Sequence, residues 1–61
     1  MNIKELMELC IEPHCQLVEI YSIDMGETIF LGLYSDLPIE YEAFEVGSWN
    51  TRMDGGVCFN V

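Results

Sequence analysis

Gln16-Leu17-Val18-Glu19-Ile20-Tyr21-Ser22-Ile23-Asp24-Met25-Gly26-Glu27-Thr28-Ile29-Phe30-Leu31-Gly32-Leu33-Tyr34 is the stretch on which the fold turns. Two runs rich in β-branched and aromatic residues flank Asp24-Met25-Gly26. This is the pattern of a β-hairpin with a three-residue loop, Asp24 opening a type I turn and Gly26 taking the left-handed position of a bulge. In that register Ile23 opposes Glu27, and the pairing steps back to Ile20–Phe30 and Val18–Gly32. Side chains alternate between the two faces of a strand. One face then carries Val18, Ile20, Phe30 and Gly32, with Ser22 and Thr28 near the turn. The other carries Leu17, Tyr21, Ile23, Ile29, Leu31 and Leu33, with Glu19 and Glu27. A half-buried hairpin ordinarily keeps one face polar, whereas here both are apolar. The first face is assigned to the core, because Gly32 lets a helix approach and the glutamates suit the second face to a surface. Tyr21, Ile29, Leu31 and Leu33 are therefore expected as an exposed patch of roughly a few hundred Å², the scale of an interaction surface.

Towards the N-terminus, Asn2 and Glu5 have the spacing of a capping box. Ile3, Leu6, Met7, Cys10 and Ile11 then recur at helical intervals, which predicts a helix over about Ile3–Ile11 stopped by Pro13. Three helical turns are not stable alone, so this stripe must lie on the hairpin. Beyond the hairpin, Asp36-Leu37-Pro38 is a helix-start signal, and a short helix or 3-10 segment is expected over Pro38–Phe44. Val46–Trp49 reads as a third strand, Arg52–Gly56 as a turn, and Val57–Val61 as a fourth strand with alternating apolar residues. The predicted fold is α+β and covers residues 1–61 as one domain. An N-terminal helix packs on an antiparallel four-stranded sheet of two hairpins, with a short helix or 3-10 crossover between them.

Composition narrows the function. A chain of 61 residues buries only about 60% of its unfolded surface, so added buried area from a partner chain is the simplest support. Three cysteines cannot all pair, and Met1-Asn2-Ile3-Lys4-Glu5 carries an acid, Glu5, where an apolar signal-peptide segment would be, so a cytoplasmic setting with reduced thiols is expected. No apolar run is long enough for a membrane span. Lys4 and Arg52 face eleven acids, for a net charge of -9. That balance argues against direct binding to nucleic acid and for a basic protein partner. Asp36, Glu40, Glu42 and Glu45 form the densest acidic cluster and the expected partner surface.

Residues able to carry chemistry are few. Cys10, His14, Cys15 and Cys58 form the one soft-ligand set, but Cys10-x4-Cys15 is wider than a zinc knuckle, and no metal site is assigned. His14 and Cys15 are adjacent, which points their side chains apart and gives no catalytic dyad. The acidic cluster reads as a solvated face rather than as ligands or general acids. No catalytic residue and no cofactor is assigned, and the expected class is a non-enzymatic interaction protein. Trp49 is weighed as a core residue against a binding anchor, because Trp is enriched at interface hot spots.

Gly26-Glu27, Phe30-x-Gly32, Asp36-Leu37-Pro38, Glu45-Val46 and Trp49, in this order after a short N-terminal helix, resemble small acidic proteins of unknown function encoded by phages, prophages and mobile elements of gut Firmicutes. The resemblance implies no catalytic or binding residue. Leu31 and Leu33 depart from it, since polar residues are usual there. Two functions are carried forward: an acidic inhibitor or modulator of a basic or nucleic-acid-binding protein, and a structural homo-oligomer, a dimer in its simplest form, built on the second hairpin face.

Overall fold

A computed structural model describes residues 1–61. The α+β expectation holds, but the sheet is mixed rather than antiparallel. Helix α1 spans Ile3–Met7, and the strands are β1 (Leu17–Ser22), β2 (Glu27–Leu33), β3 (Ser48–Thr51) and β4 (Val57–Asn60). Three 3-10 turns, Pro13–Cys15, Tyr34–Asp36 and Ile39–Ala43, occupy the connections. The strand order is β2-β1-β4-β3. β1–β2 and β3–β4 are antiparallel hairpins, while β1 and β4 run parallel. The crossover from β2 to β3 carries the chain from one edge of the sheet to the other. The second hairpin then folds back, and its more apolar strand, Val57-Cys58-Phe59-Asn60, takes the inner place. Ser48-Trp49-Asn50-Thr51, with one large apolar residue, is left at the edge. Burial thus decides which strand of the hairpin meets β1, and that choice makes the contact parallel.

The capping box is present. Glu5 N–H donates to Asn2 Oδ1 at 2.9 Å, and Asn2 N–H donates to Glu5 Oε1 at 3.0 Å. The helix is shorter than its apolar stripe. After Met7 the chain tightens into i to i+3 bonds, with Leu9 N–H donating to Leu6 O and Cys10 N–H to Met7 O. Ile3 and Met7 are buried, but Leu9 and Ile11 project into solvent and add nothing to hold a further turn. The N-terminus is stitched to the crossover: Asn2 forms a bridge with Glu45, and Ile3 N–H donates to Phe44 O.

Ile3, Met7, Val18, Ile20 and Phe59 form the core. Val18 and Ile20 of β1 face α1, as the register of the hairpin requires. Ile20 sits between Phe30 on β2 and Phe59 on β4. Tyr41 bridges towards the edge, stacked on Phe44 at 5.1 Å and edge-on to Phe30 at 6.5 Å.

The turn of the first hairpin is longer than expected. Val18–Gly32 and Ile20–Phe30 pair as predicted, but Ser22, not Ile23, opposes Glu27. Ile23 instead donates its N–H to Val61 O, and Val61 N–H donates to Tyr21 O. The parallel partner strand thus draws Ile23 out of the hairpin ladder. The loop becomes Ile23–Gly26, closed by Gly26 N–H to Ser22 O at 2.8 Å, and Gly26 keeps its left-handed φ of 69°. A bulge on β2 absorbs the one-residue shift. It also turns Ile29 from the second face onto the core cluster. No helix is long and apolar enough to cross a membrane.

Candidate interaction surfaces

One face of the sheet lies under α1 and the 3-10 crossover, and the other is open. The paired register puts Leu17, Glu19 and Tyr21 of β1 on the open face, with Leu31 and Leu33 of β2. Leu31 is 54% and Leu33 43% exposed, while Tyr21 is half-buried. Three of the four residues expected to share a patch are therefore together, and Ile29 is not among them, because the bulge commits it to the core.

The polar half of this face is a closed network. Arg52 bonds to Glu19 through Nη1 and to Asp54 through Nη2 at 3.0 Å. Thr28 Oγ1 donates to Glu19 Oε2 at 2.6 Å. Gly56 N–H donates to Asp54 Oδ1 at 3.1 Å. The Arg52 side chain, then the Gly56 amide, hold the Asp54 carboxyl below the usual range, and Asp54 first of all raises the Arg52 guanidinium. The one arginine of the chain thus compensates the carboxylate of the open face. Cys58 lies beside Glu19 and is buried. Burial, then the nearby Glu19, pushes its thiol up, which leaves it a weak nucleophile.

The acidic cluster lies on the other side, along the crossover that packs beside α1. Asp36 and Glu40 are exposed. Glu42 is half-buried and accepts from Tyr34 Oη at 2.8 Å. Burial first, then this bond to Glu42, pushes the Tyr34 hydroxyl up to about 12, and Glu8 of the helix turn adds to the field. Glu45 lies 3.4 Å from the N-terminal ammonium, with 80% of its side chain exposed. The four acids are close in the chain but differ in commitment: two are tied locally, and Asp36 and Glu40 have no cationic partner.

Trp49 is not a core residue. It is 57% exposed on the edge strand, and it walls a groove of about 280 Å³ with Leu6, Leu9 and Cys10 of the helical segment opposite. Thr51 continues that wall, and Val57 and Phe59 form the floor. The groove exists because α1 covers β1 and β4 but stops short of β3. Leu9 lies off the predicted stripe, and its apolar side chain there, together with Trp49 as a candidate anchor, is what the sequence shows of this surface.

The soft-ligand residues do not converge. Cys10 is half-buried on the helix side, Cys15 is exposed in the first 3-10 turn beside His14, and Cys58 is buried under the opposite face. No three His, Cys, Asp or Glu side chains lie together in a way that holds a metal ion. Comparison with protein-family models, characterised proteins and solved structures finds no match for this chain.

Proposed function

We propose that this protein is a non-enzymatic interaction module whose acidic helical layer docks on the basic surface of a partner protein. The observation that carries the reading is the set of unpaired carboxylates on the helical side of the sheet, among which exposed Lys4 of α1 is the one side-chain cation. Arg52 is committed to Glu19 and Asp54 on one side. On the other, Glu8, Asp36 and Glu40 are exposed without an ion-pair partner. A potential of one sign concentrated on one side steers encounter with a surface of the opposite sign. In a phage or mobile-element setting, the specific version is a cytoplasmic partner that itself handles nucleic acid, the acidic layer occupying its basic groove as a decoy. The net charge of -9 weighs against contact with the nucleic acid itself. The reading needs no cofactor.

The test is salt and charge. Screening shortens from about 30 Å at 0.01 M salt to about 3 Å at 1 M, so partner binding weakens strongly over that range. The triple variant E40Q/E42Q/E45Q weakens it at low salt. Retention unchanged by both overturns the proposal.

A second reading, self-association through the open sheet face, is favoured by one observation. The carboxylate of that face is compensated by Arg52 and Thr28, beside the exposed Leu31 and Leu33. Two copies of an acidic chain meet there without facing bare carboxylates. L31K makes that face monomeric, and an unchanged sedimentation mass for this variant rejects it.

A further inference from the structure

The two edges of the sheet are built differently. β2 carries Glu27, and a bulge breaks its ladder. β3 is Ser48-Trp49-Asn50-Thr51, with no charge, no proline and no register shift, and all of it is exposed. Natural sheets ordinarily protect their edges with such devices, because a row of free N–H and C=O groups templates pairing with another chain.

The direction of those groups follows from the ladder. Arg52 N–H donates to Gly56 O, and Val61 exchanges its bonds with Tyr21 and Ile23. Residues along a strand turn their amides alternately to one neighbour and the other. Arg52 and Asn50 are thereby directed to β4, while Trp49 and Thr51 direct N–H and C=O outward from the sheet. Thr51 O accepts only a long contact, 3.4 Å, from Asn50 Nδ2.

We infer that β3 pairs antiparallel with β3 of a second copy, about a two-fold axis through Asn50. This contact is an alternative to the open-face self-association of the second reading, and L31K separates the two. The register is set by the outward groups. Placing Trp49 opposite Thr51 of the other copy satisfies both N–H and both C=O groups on each strand. Placing Trp49 opposite Trp49 satisfies fewer and calls on Gly47, whose N–H is already bonded to Asn60 O. The favoured register also keeps Trp49 and Thr51 on one side of a continuous eight-stranded sheet, the side of the groove.

Charge and packing fit a second copy. The chain carries a net charge of -9, yet Ser48–Thr51 contributes none of it. The nearest acid of the adjoining turn, Asp54, is paired with Arg52. Two copies therefore meet along a neutral strip. Each Trp49, 57% exposed in the single chain, stands over Thr51 of its counterpart, on the wall of that copy's groove. The second copy so contributes a residue to the groove that the single chain leaves open at its edge.

Cross-linking at the axis tests the register. Asn50 faces its own counterpart as a non-hydrogen-bonded pair, with Cα atoms about 4.5 Å apart, inside disulfide range. Ser48 shares its face of the strand but lies roughly 13 Å from its counterpart, at about 3.3 Å per residue. N50C and S48C, each with C15S to remove the exposed native thiol and C58A to remove the thiol that the β3–β4 ladder sets opposite Asn50, are oxidised and mapped by mass spectrometry. The inference expects a covalent dimer joined at the introduced thiols of N50C, and none for S48C. Wild type and L31K both sediment at twice the 7.0 kDa chain mass. As a measurement free of substitutions, the Trp49 and Thr51 amides exchange slowly at high protein concentration and fast on dilution. A monomeric wild type at high concentration overturns the inference. So does a dimer in which N50C cross-links no better than S48C, or in which these amides exchange freely. If L31K alone then abolishes the dimer, the sheet-face reading stands and the edge contact falls.

Discussion

Ile20 offers the sharpest test of which hairpin face is the core. It is fully buried, between Phe30 on one neighbouring strand and Phe59 on the other. Ile20→Ala removes three carbon groups at about 0.8 kcal/mol each, and the cavity term raises the cost to about 2–5 kcal/mol. At about 0.05–0.15 kcal/mol per residue, a chain of this length has roughly 3–9 kcal/mol in total. I20A therefore removes much or all of the folded baseline. I20V is the quantitative probe, at about 0.5–1.5 kcal/mol. With a urea m-value of about 1 kcal/mol/M, its midpoint falls by about 0.5–1.5 M. The control is L31A, on the opposite face and 54% exposed, which stays within about 0.5 kcal/mol of wild type. Urea titrations followed by far-UV circular dichroism read all three. An L31A midpoint that falls as far as that of I20V refutes the assignment of faces.

Three further outcomes follow from named contacts. Asn2→Ala removes the capping box and costs about 1 kcal/mol, which is about 4–8 °C in Tm for a domain of this size, and a Tm unchanged by N2A rejects the cap as a support of α1. Tyr34 ionises late: its hydroxyl moves from 10.0 to about 12, chiefly through burial. The unfolded chain then loses that proton first, so the contribution of Tyr34 is full below pH 10.0 and is lost as pH rises towards about 12. Ultraviolet titration shows the Tyr34 hydroxyl ionising late, and E42Q shifts it down. Gly56→Ala places a methyl 3.0 Å from Leu17 O and 3.1 Å from Arg52 Cδ. The backbone atom cannot step aside cheaply, so G56A lowers the urea midpoint, whereas the same change at exposed Gly47, where the nearest atom is 3.6 Å away, leaves it nearly unmoved.

The local signals of the chain were legible, and the long-range ones were not. Asn2 and Glu5 announce a helix start, and Gly26 announces the turn, because both are contacts within a few residues. Val18 and Ile20 identify the core face for the same reason. The helix end is not legible in the sequence, because periodicity counts Ile11 as apolar although nothing lies beneath it. The bulge was hidden because its cause is remote: Val61 draws Ile23 out of the hairpin, and Ile29 pays the register shift by turning inward. The parallel β1–β4 contact depends on which of two short strands is buried, a decision made by the whole sheet. The compensation of Glu19 by Arg52 spans 33 residues of sequence, and no spacing rule reaches that far. The acidic cluster was visible as composition, but its division into tied and untied carboxylates required Tyr34 and the N-terminal ammonium in place.

The most direct measurement of the proposed role is capture of binding partners on immobilised wild type beside the immobilised E40Q/E42Q/E45Q variant, with elution by a salt gradient. The account predicts basic proteins held by wild type at low salt, released as salt rises, and largely absent from the variant. Partners held equally by both proteins, or retained through 1 M salt where screening reaches about 3 Å, contradict it.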